Sequence, residues 1–266
     1  VILKGKRALV IGGSGGIGSA IAKALSENGA EILIASRSAK GAGSVSLDIT
    51  DENSVAALAK KIEADWGGLD VLVNAAAITG PIGKVTEISP DDWRKTLDIN
   101  LTGTFLAVRA LAPLMKNRGR AKIINFVGGG DGPRPNFDAY VASKGGVARF
   151  TETAAAELKE WDIDVNAIAP GAVNTQLLED VLSAGSGSSP EYEQAKKQKE
   201  AGGVSPEKAA DLVVFLASPK SNGLTGKIFS AVWDKYEEFP GHRDEIMSSD
   251  IYNYRRIKPE DRGKRW

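Results

Sequence analysis

Arg7-Ala-Leu-Val-Ile11, followed directly by Gly12-Gly-Ser-Gly-Gly-Ile-Gly18, decides the fold. The first five residues read as a short buried strand, and Gly18–Asn28 then repeats with helical spacing. Glycines between a strand and a helix permit a tight turn. They also let the backbone approach a pyrophosphate, which the helix N-terminus stabilises. Three spacings fit at once: GxxxGxG (12, 16, 18), GxxGxxG (12, 15, 18) and GxGxxG (13, 15, 18). Spacing alone therefore selects no subtype. The turn predicts a dinucleotide site contacted by Gly12, Ser14, Gly15, Gly16, Ile17 and Gly18.

Outward from this turn, short apolar runs alternate with helix-period segments. Further strands are expected at Glu31–Ala35, Ser44–Leu47, Val71–Val73, Lys122–Val127, Asp164–Ile168 and Lys227–Ser230. Their Ile/Val/Leu content without polar alternation suits parallel strands covered on both faces. Helices are expected at Asp51–Trp66, Ser89–Lys116 and Ala139–Glu160, and Ser89-Pro90-Asp91-Asp92 is a helix start. Ser38–Gly43 is too short for a crossover helix. Ser183–Ser189 reads as a polar linker or a mobile lid. The expectation is one α/β domain, a doubly wound Rossmann fold.

Composition removes several classes of function. Lys plus Arg and Asp plus Glu both total 34, so no electrostatic case exists for nucleic acid or anionic membrane. With no cysteine and only His242, neither a zinc centre nor a Ser-His-Asp triad is expected, and no metal site is expected. No apolar run is long enough to span a bilayer, and the N-terminus enters a strand pattern directly. A cytoplasmic location follows as the default.

After the second strand the chain reads Ala35-Ser36-Arg37. An acidic residue there would hold a ribose 2′-hydroxyl; an arginine suits a 2′-phosphate. NADP is therefore favoured over NAD, the alternative being a solvated arginine. Tyr140 and Lys144 stand one helical turn apart. A lysine cation near a phenol favours the phenolate and lowers its pKa, making the pair a plausible acid/base at a carbonyl or alcohol. Such a site also calls for a neutral hydroxyl, and Lys122–Gly130 holds no serine or threonine.

With these pieces placed, the chain resembles the classical short-chain dehydrogenase/reductase (SDR) family as far as residue 231. Gly12, Gly16 and Gly18 fit its glycine motif, and Asp48-Ile49 resembles its adenine-binding aspartate. Asn74-Ala75-Ala76-Ala77 resembles NNAG with two changes. Tyr140 and Lys144 match YxxxK, and Pro170-Gly171-Ala-Val173-Asn-Thr175 matches PGxxxT. The resemblance implies a seven-stranded parallel sheet of order 3-2-1-4-5-6-7 with helices on both faces. It implies an oxidoreductase in which Tyr140 is the general acid or base, Lys144 lowers its pKa and binds the ribose, and Asn100 holds a water on the proton path. It also implies a homo-oligomer, tetramer or dimer, built through the helices at Ser89–Lys116 and Ala139–Glu160.

The departure is the catalytic serine. Counting thirteen residues back from Tyr140 reaches Val127; a shift of one reaches Gly128, and Val127 is the preferred assignment. Three outcomes are open: Tyr140 acts alone, Asn136 or Asp131 substitutes, or the protein binds cofactor with weak or no turnover in a regulatory or assembly role. Residues 1–231 are read as the NADP-binding catalytic domain, with 176–205 as its substrate loop. The substrate, a small carbonyl or alcohol compound, is expected between the Gly128–Asn136 loop and Thr175–Val204. Arg134 either pairs with an anionic group on it or stands in solvent. The aromatic-containing tail, 232–266, is expected to be ordered and to pack on its own domain or a neighbouring subunit.

Overall fold

The computed structural model describes residues 1–128, 133–183 and 190–265. Seven parallel strands form one sheet in the order β3-β2-β1-β4-β5-β6-β7. They are β1 (Arg7–Ile11), β2 (Glu31–Ser36), β3 (Ser44–Ser46), β4 (Val71–Asn74), β5 (Ala121–Phe126), β6 (Ile163–Ala169) and β7 (Ile228–Ser230). No helix joins β2 to β3. β1 pairs with β2 on one side and β4 on the other, with Val10 opposite Ile34 and Val73. Chain direction across the sheet reverses at this pair, so a crevice opens beyond the carboxyl ends of β1 and β4.

Apolar helix faces cover both sides of the sheet. On one side Ile21 and Leu25 of α1 (Gly16–Glu27) join Leu212, Val213 and Leu216 of a later helix, Pro206–Ala217. On the other lie Val55, Leu58 and Ile62 of α2 (Glu52–Trp66). Beside them lie Leu106 and Leu111, and Ala154 and Ala155 from the helix that carries Tyr140. Burial on both faces explains why the strands are rich in Ile, Val and Leu without polar alternation.

The segment expected as one helix, Ser89–Lys116, is interrupted. α3 (Pro90–Leu97) passes through a π-helical turn, Asp98–Thr102, into α4 (Gly103–Leu111), and Pro113 sits in a closing 3₁₀ turn. Such a bulge inserts one extra residue into a helix, often at a functional site. Here it carries Asn100.

α5 (Asp138–Leu158) follows β5. After β6 the chain leaves the sheet as α6 (Gln176–Ser183) and α7 (Pro190–Glu200), then returns to α8 (Pro206–Ala217). A parallel bridge between Val173 and Val204 clamps the two ends of this flap together. Residues 184–189, most of the expected lid tip, lie outside the described residues.

Beyond β7 the chain forms a short α9 (Arg243–Ser248) and packs back on the domain. Phe239 lies 4.8 Å from Phe229 and 6.2 Å from Phe215, centroid to centroid, and Tyr252 completes the cluster. The Lys227 ammonium donates to Ser249 O, Ile251 O and Asn253 Oδ1 at 2.8, 3.0 and 2.6 Å, fastening this segment. Trp266 lies outside the described residues. Among the described residues no helix is long and apolar enough to cross a membrane.

Candidate active site

A cleft of about 1720 Å³ runs along the carboxyl ends of the strands. Ligand pockets usually measure about 300–1,000 Å³, so there is room for a dinucleotide and a second molecule beside it. All the residues singled out above as cofactor-binding line it except Asn74. That residue is buried behind the wall, where its Nδ2 donates to Asn125 Oδ1 at 2.9 Å and ties β4 to β5.

The glycine turn makes specific demands on the backbone. Gly12 has φ +85°, and a Cβ there would come within 2.6 Å of Ala76 N. A Cβ on Gly18 would lie 2.2 Å from Gly12 O, and Gly16 has φ +47°. Gly15 faces open space. Positions 12, 16 and 18 are thus the ones that geometry reserves for glycine, which selects GxxxGxG from the three spacings. No side chain caps the start of α1 and no acidic residue occupies its first turn. The free N–H groups and positive helix end suit a pyrophosphate. At the far end of β2, Arg37 is exposed and Ser36 Oγ is buried with no partner among the described residues. Asp48 accepts from Thr50 N at 2.9 Å and Thr50 Oγ1 at 2.7 Å; these bonds, helped by Arg37's charge, hold its carboxyl below the usual range. Asp51, not Asp48, caps α2. The residues present therefore fit a nicotinamide dinucleotide.

Tyr140 and Lys144 lie on the inner face of α5, both buried. Lys144 Nζ donates to Phe126 O at 2.9 Å and sits 5.9 Å from the Tyr140 ring centroid. Burial pushes the lysine down to about 8. Burial also pushes the Tyr140 phenol up to about 12, opposed in part by the positive charge of Arg134. Among the named causes the lowering charge is that of Arg134. Loss of water sets the direction of the shift.

Asn100 does not line the cleft. Its Oδ1 accepts from Ile78 N at 2.9 Å, while Nδ2 donates to Ile78 O at 2.9 Å and Ser143 Oγ at 3.0 Å. Ser143 in turn donates to Tyr140 O at 2.7 Å. The side chain clamps the loop after β4 to α5 and positions the helix that carries Tyr140. Sequence gave no reason to pick out Ser143, although it lies inside the Tyr140–Lys144 motif.

Val127 and Gly128 both line the cleft, but they differ in packing. Val127 is buried against Val147, Ala148 and Ala167. A Cβ on Gly128, by contrast, would lie 3.4 Å from the Tyr140 hydroxyl. Asp131 lies outside the described residues, and Asn136 takes a left-handed backbone, φ +67°, and does not line the cleft. Its carbonyl accepts from Gly83 N at 3.0 Å. Two further contacts shape the cleft. Thr79 Oγ1 donates to Asp180 Oδ2 at 3.0 Å, latching α6 across the cleft, and Asp234 and Tyr252 bring the tail to the cleft wall.

Fold, glycine turn and the Tyr140–Lys144 pair define a nicotinamide-type oxidoreductase cleft, and comparison with known proteins agrees. A family model described as enoyl-(acyl carrier protein) reductase matches residues 12–231. A short chain dehydrogenase of Monascus purpureus is 33% identical over 92% of this chain and 87% of its own length. The cis-4-hydroxycyclohexanecarboxylate dehydrogenase of Sinomonas cyclohexanicum is 34% identical over 84% and 93%. The ligand-free aldohexose dehydrogenase of Thermoplasma acidophilum superposes with a TM-score of 0.77 at 29% identity, covering 86% and 92% of the two chains. The chain belongs to the short-chain dehydrogenase/reductase family, whose members are NAD(P)-dependent oxidoreductases.

Proposed function

We propose that the protein is an NADP(H)-dependent oxidoreductase that interconverts a small carbonyl compound and its alcohol. The carrying observation is Tyr140, one turn from Lys144 and facing the cleft that the glycine turn borders. Gly12 to Gly18 with the α1 N-terminus would hold the pyrophosphate, Asp48-Ile49 the adenine and Arg37 the 2′-phosphate. Pro170 to Thr175 would meet the carboxamide end. When bound, the nicotinamide supplies or accepts the hydride.

Tyr140 does the proton work. With its pKa near 12 the phenol stays protonated at neutral pH. It can therefore hydrogen-bond a carbonyl oxygen and deliver the proton as negative charge develops there, which favours reduction. Lys144 holds the floor of the site, and Asn100 sets the position of α5. We assign the family's serine position to Gly128 rather than Val127, because a Cβ at 128 would lie 3.4 Å from the tyrosine hydroxyl while Val127 packs on Val147 and Ala148.

The missing hydroxyl favours a second reading, a cofactor-binding protein with weak or no turnover and a regulatory or assembly role. Turnover separates the two. NADPH-dependent reduction across a carbonyl panel, abolished in Tyr140→Phe, supports the enzyme; tight NADPH binding without transfer supports the alternative. Arg37→Ser should weaken NADPH by about 10–100-fold relative to NADH, the range for a charged hydrogen bond. A wild-type preference for NADH would sink the Arg37 assignment. Phe105, 44% exposed on α4, packs edge-to-face on Phe150 of α5, a face suited to a homo-oligomer, dimer or tetramer. A cytoplasmic location is part of the same proposal.

A further inference from the structure

Three arginines line the cleft: Arg37, Arg94 and Arg134. Arg94 pairs with Asp91 at 2.8 Å, and Arg37 stands at the ribose end. Arg134 lies beside Tyr140, in the turn that leads into α5, six residues before it. Its guanidinium sits 5.1 Å from the centroid of the Phe137 ring. Phe137 is itself buried, and its N–H donates to Arg134 O at 3.2 Å, so the turn and the ring together fix the arginine. Among the described residues no carboxylate pairs with it.

The surroundings favour an anion from outside the protein. A half-buried guanidinium with one face on an aromatic ring still presents its N–H fork, whose geometry matches a carboxylate. The N-terminus of α5, 21 residues long, adds positive potential on the same side. Arg134 is close enough to Tyr140 for its charge to act on the phenol. At Gly128 no side chain fills the space in front of that hydroxyl. A ligand can therefore reach Tyr140 with one oxygen and Arg134 with another group.

We infer that Arg134 anchors a carboxylate on the substrate, so that the preferred substrates are oxo acids and their hydroxy-acid counterparts. This rests on the oxidoreductase reading of the cleft. The guanidinium and carboxylate form a bidentate pair while the carbonyl oxygen meets Tyr140. No bond to Arg134 is made or broken, and its role is substrate selection.

The test uses 4-oxocyclohexanecarboxylate and 4-oxopentanoate against their methyl esters, with NADPH. The wild-type protein should prefer acid over ester in kcat/KM by about 10–100-fold, carried mostly by KM. In Arg134→Met that ratio should fall to near one, and Arg134→Lys should keep part of it. Calorimetry of the NADP-loaded protein gives a second readout, with cyclohexanecarboxylate binding that is weakened to the same extent in Arg134→Met. Equal turnover of acid and ester by the wild type, or an acid-to-ester ratio unchanged in Arg134→Met, overturns the inference. If the esters are reduced in a Tyr140-dependent way without acid preference, the inference falls and the oxidoreductase reading stands. If nothing is turned over but carboxylate binds through Arg134, the anion site stands and the catalytic reading falls.

Discussion

Gly128→Ser is the change that most directly probes the missing donor. The glycine is outside the left-handed backbone region, so serine fits its conformation. Its Cβ would stand 3.4 Å from the Tyr140 hydroxyl, an ordinary contact. An Oγ carried on that Cβ can come within about 2.5–3.0 Å of an oxygen held by the tyrosine, normal hydrogen-bond range. A single oriented donor of this kind is worth about 10²–10³ in rate, or about 2.7–4 kcal/mol. The expected result is a rise of that size in kcat for a fixed ketone, followed through the absorbance of NADPH. Val127→Ser is the control. Val127 is 2% exposed and surrounded by Val147, Ala148 and Ala167. Replacing it deletes packed methyl groups and buries a hydroxyl among apolar side chains, at a cost of about 1–3 kcal/mol with no gain in rate. A gain in Val127→Ser but not Gly128→Ser would return the serine position to 127. No gain in either would mean that another group already holds the substrate oxygen.

The buried lysine predicts a pH signature. Its pKa falls from 10.5 to about 8 on folding, so the unfolded chain binds the extra proton between those values and stability rises with pH across that window. Wild type should gain up to about 3 kcal/mol on Lys144→Met between pH 8 and 10.5 in urea titrations, with a constant difference below pH 8; a difference flat throughout would refute the burial. Phe239→Ala should cost about 3–5 kcal/mol by opening the aromatic cluster beneath the tail, and an unchanged urea midpoint would show that the tail does not pack there. Asn100→Ala leaves both Ile78 backbone groups without their side-chain partner, a loss of about 1–3 kcal/mol. Thermal unfolding should fall by a few degrees, and unchanged stability would argue against the clamp.

The sheet and the dinucleotide turn were legible because both rest on local rules. Parallel strands buried on both faces are rich in Ile, Val and Leu, and Gly12 against Ala76 and Gly18 against Gly12 leave no room for a side chain at those two positions. The break between α3 and α4 was not legible, since α3 and α4 share one helical period and one inserted residue barely disturbs it. Asn100, a polar residue in a buried helix segment, was the one visible trace. The tail's aromatic residues announced that something would be covered, but not that Phe215 and Phe229 would be beneath them. The burial of Tyr140 was not legible for a related reason: spacing reveals that a lysine is near, not how much water both groups have lost.

On the proposed assignment of the serine position to Gly128, the count from Tyr140 is off by one. Distance in sequence from Tyr140 crosses a loop, residues 128–136, and a loop can absorb a residue without disturbing either end. Strand parity is the sounder guide. On β5, Asn125 reaches Thr151 of α5 at 2.9 Å, and Val127, two residues on, packs against Val147 and Ala148 of the same helix. Val127 therefore continues the core-facing side of the strand. The next residue is the first free of that alternation, and it is the one whose side chain would turn towards the tyrosine. An insertion or deletion in the following loop shifts the count but not the parity. Val127 and Gly128 share the cleft wall and are told apart by the neighbours they meet, Val147 and Ala148 for one and the Tyr140 hydroxyl for the other.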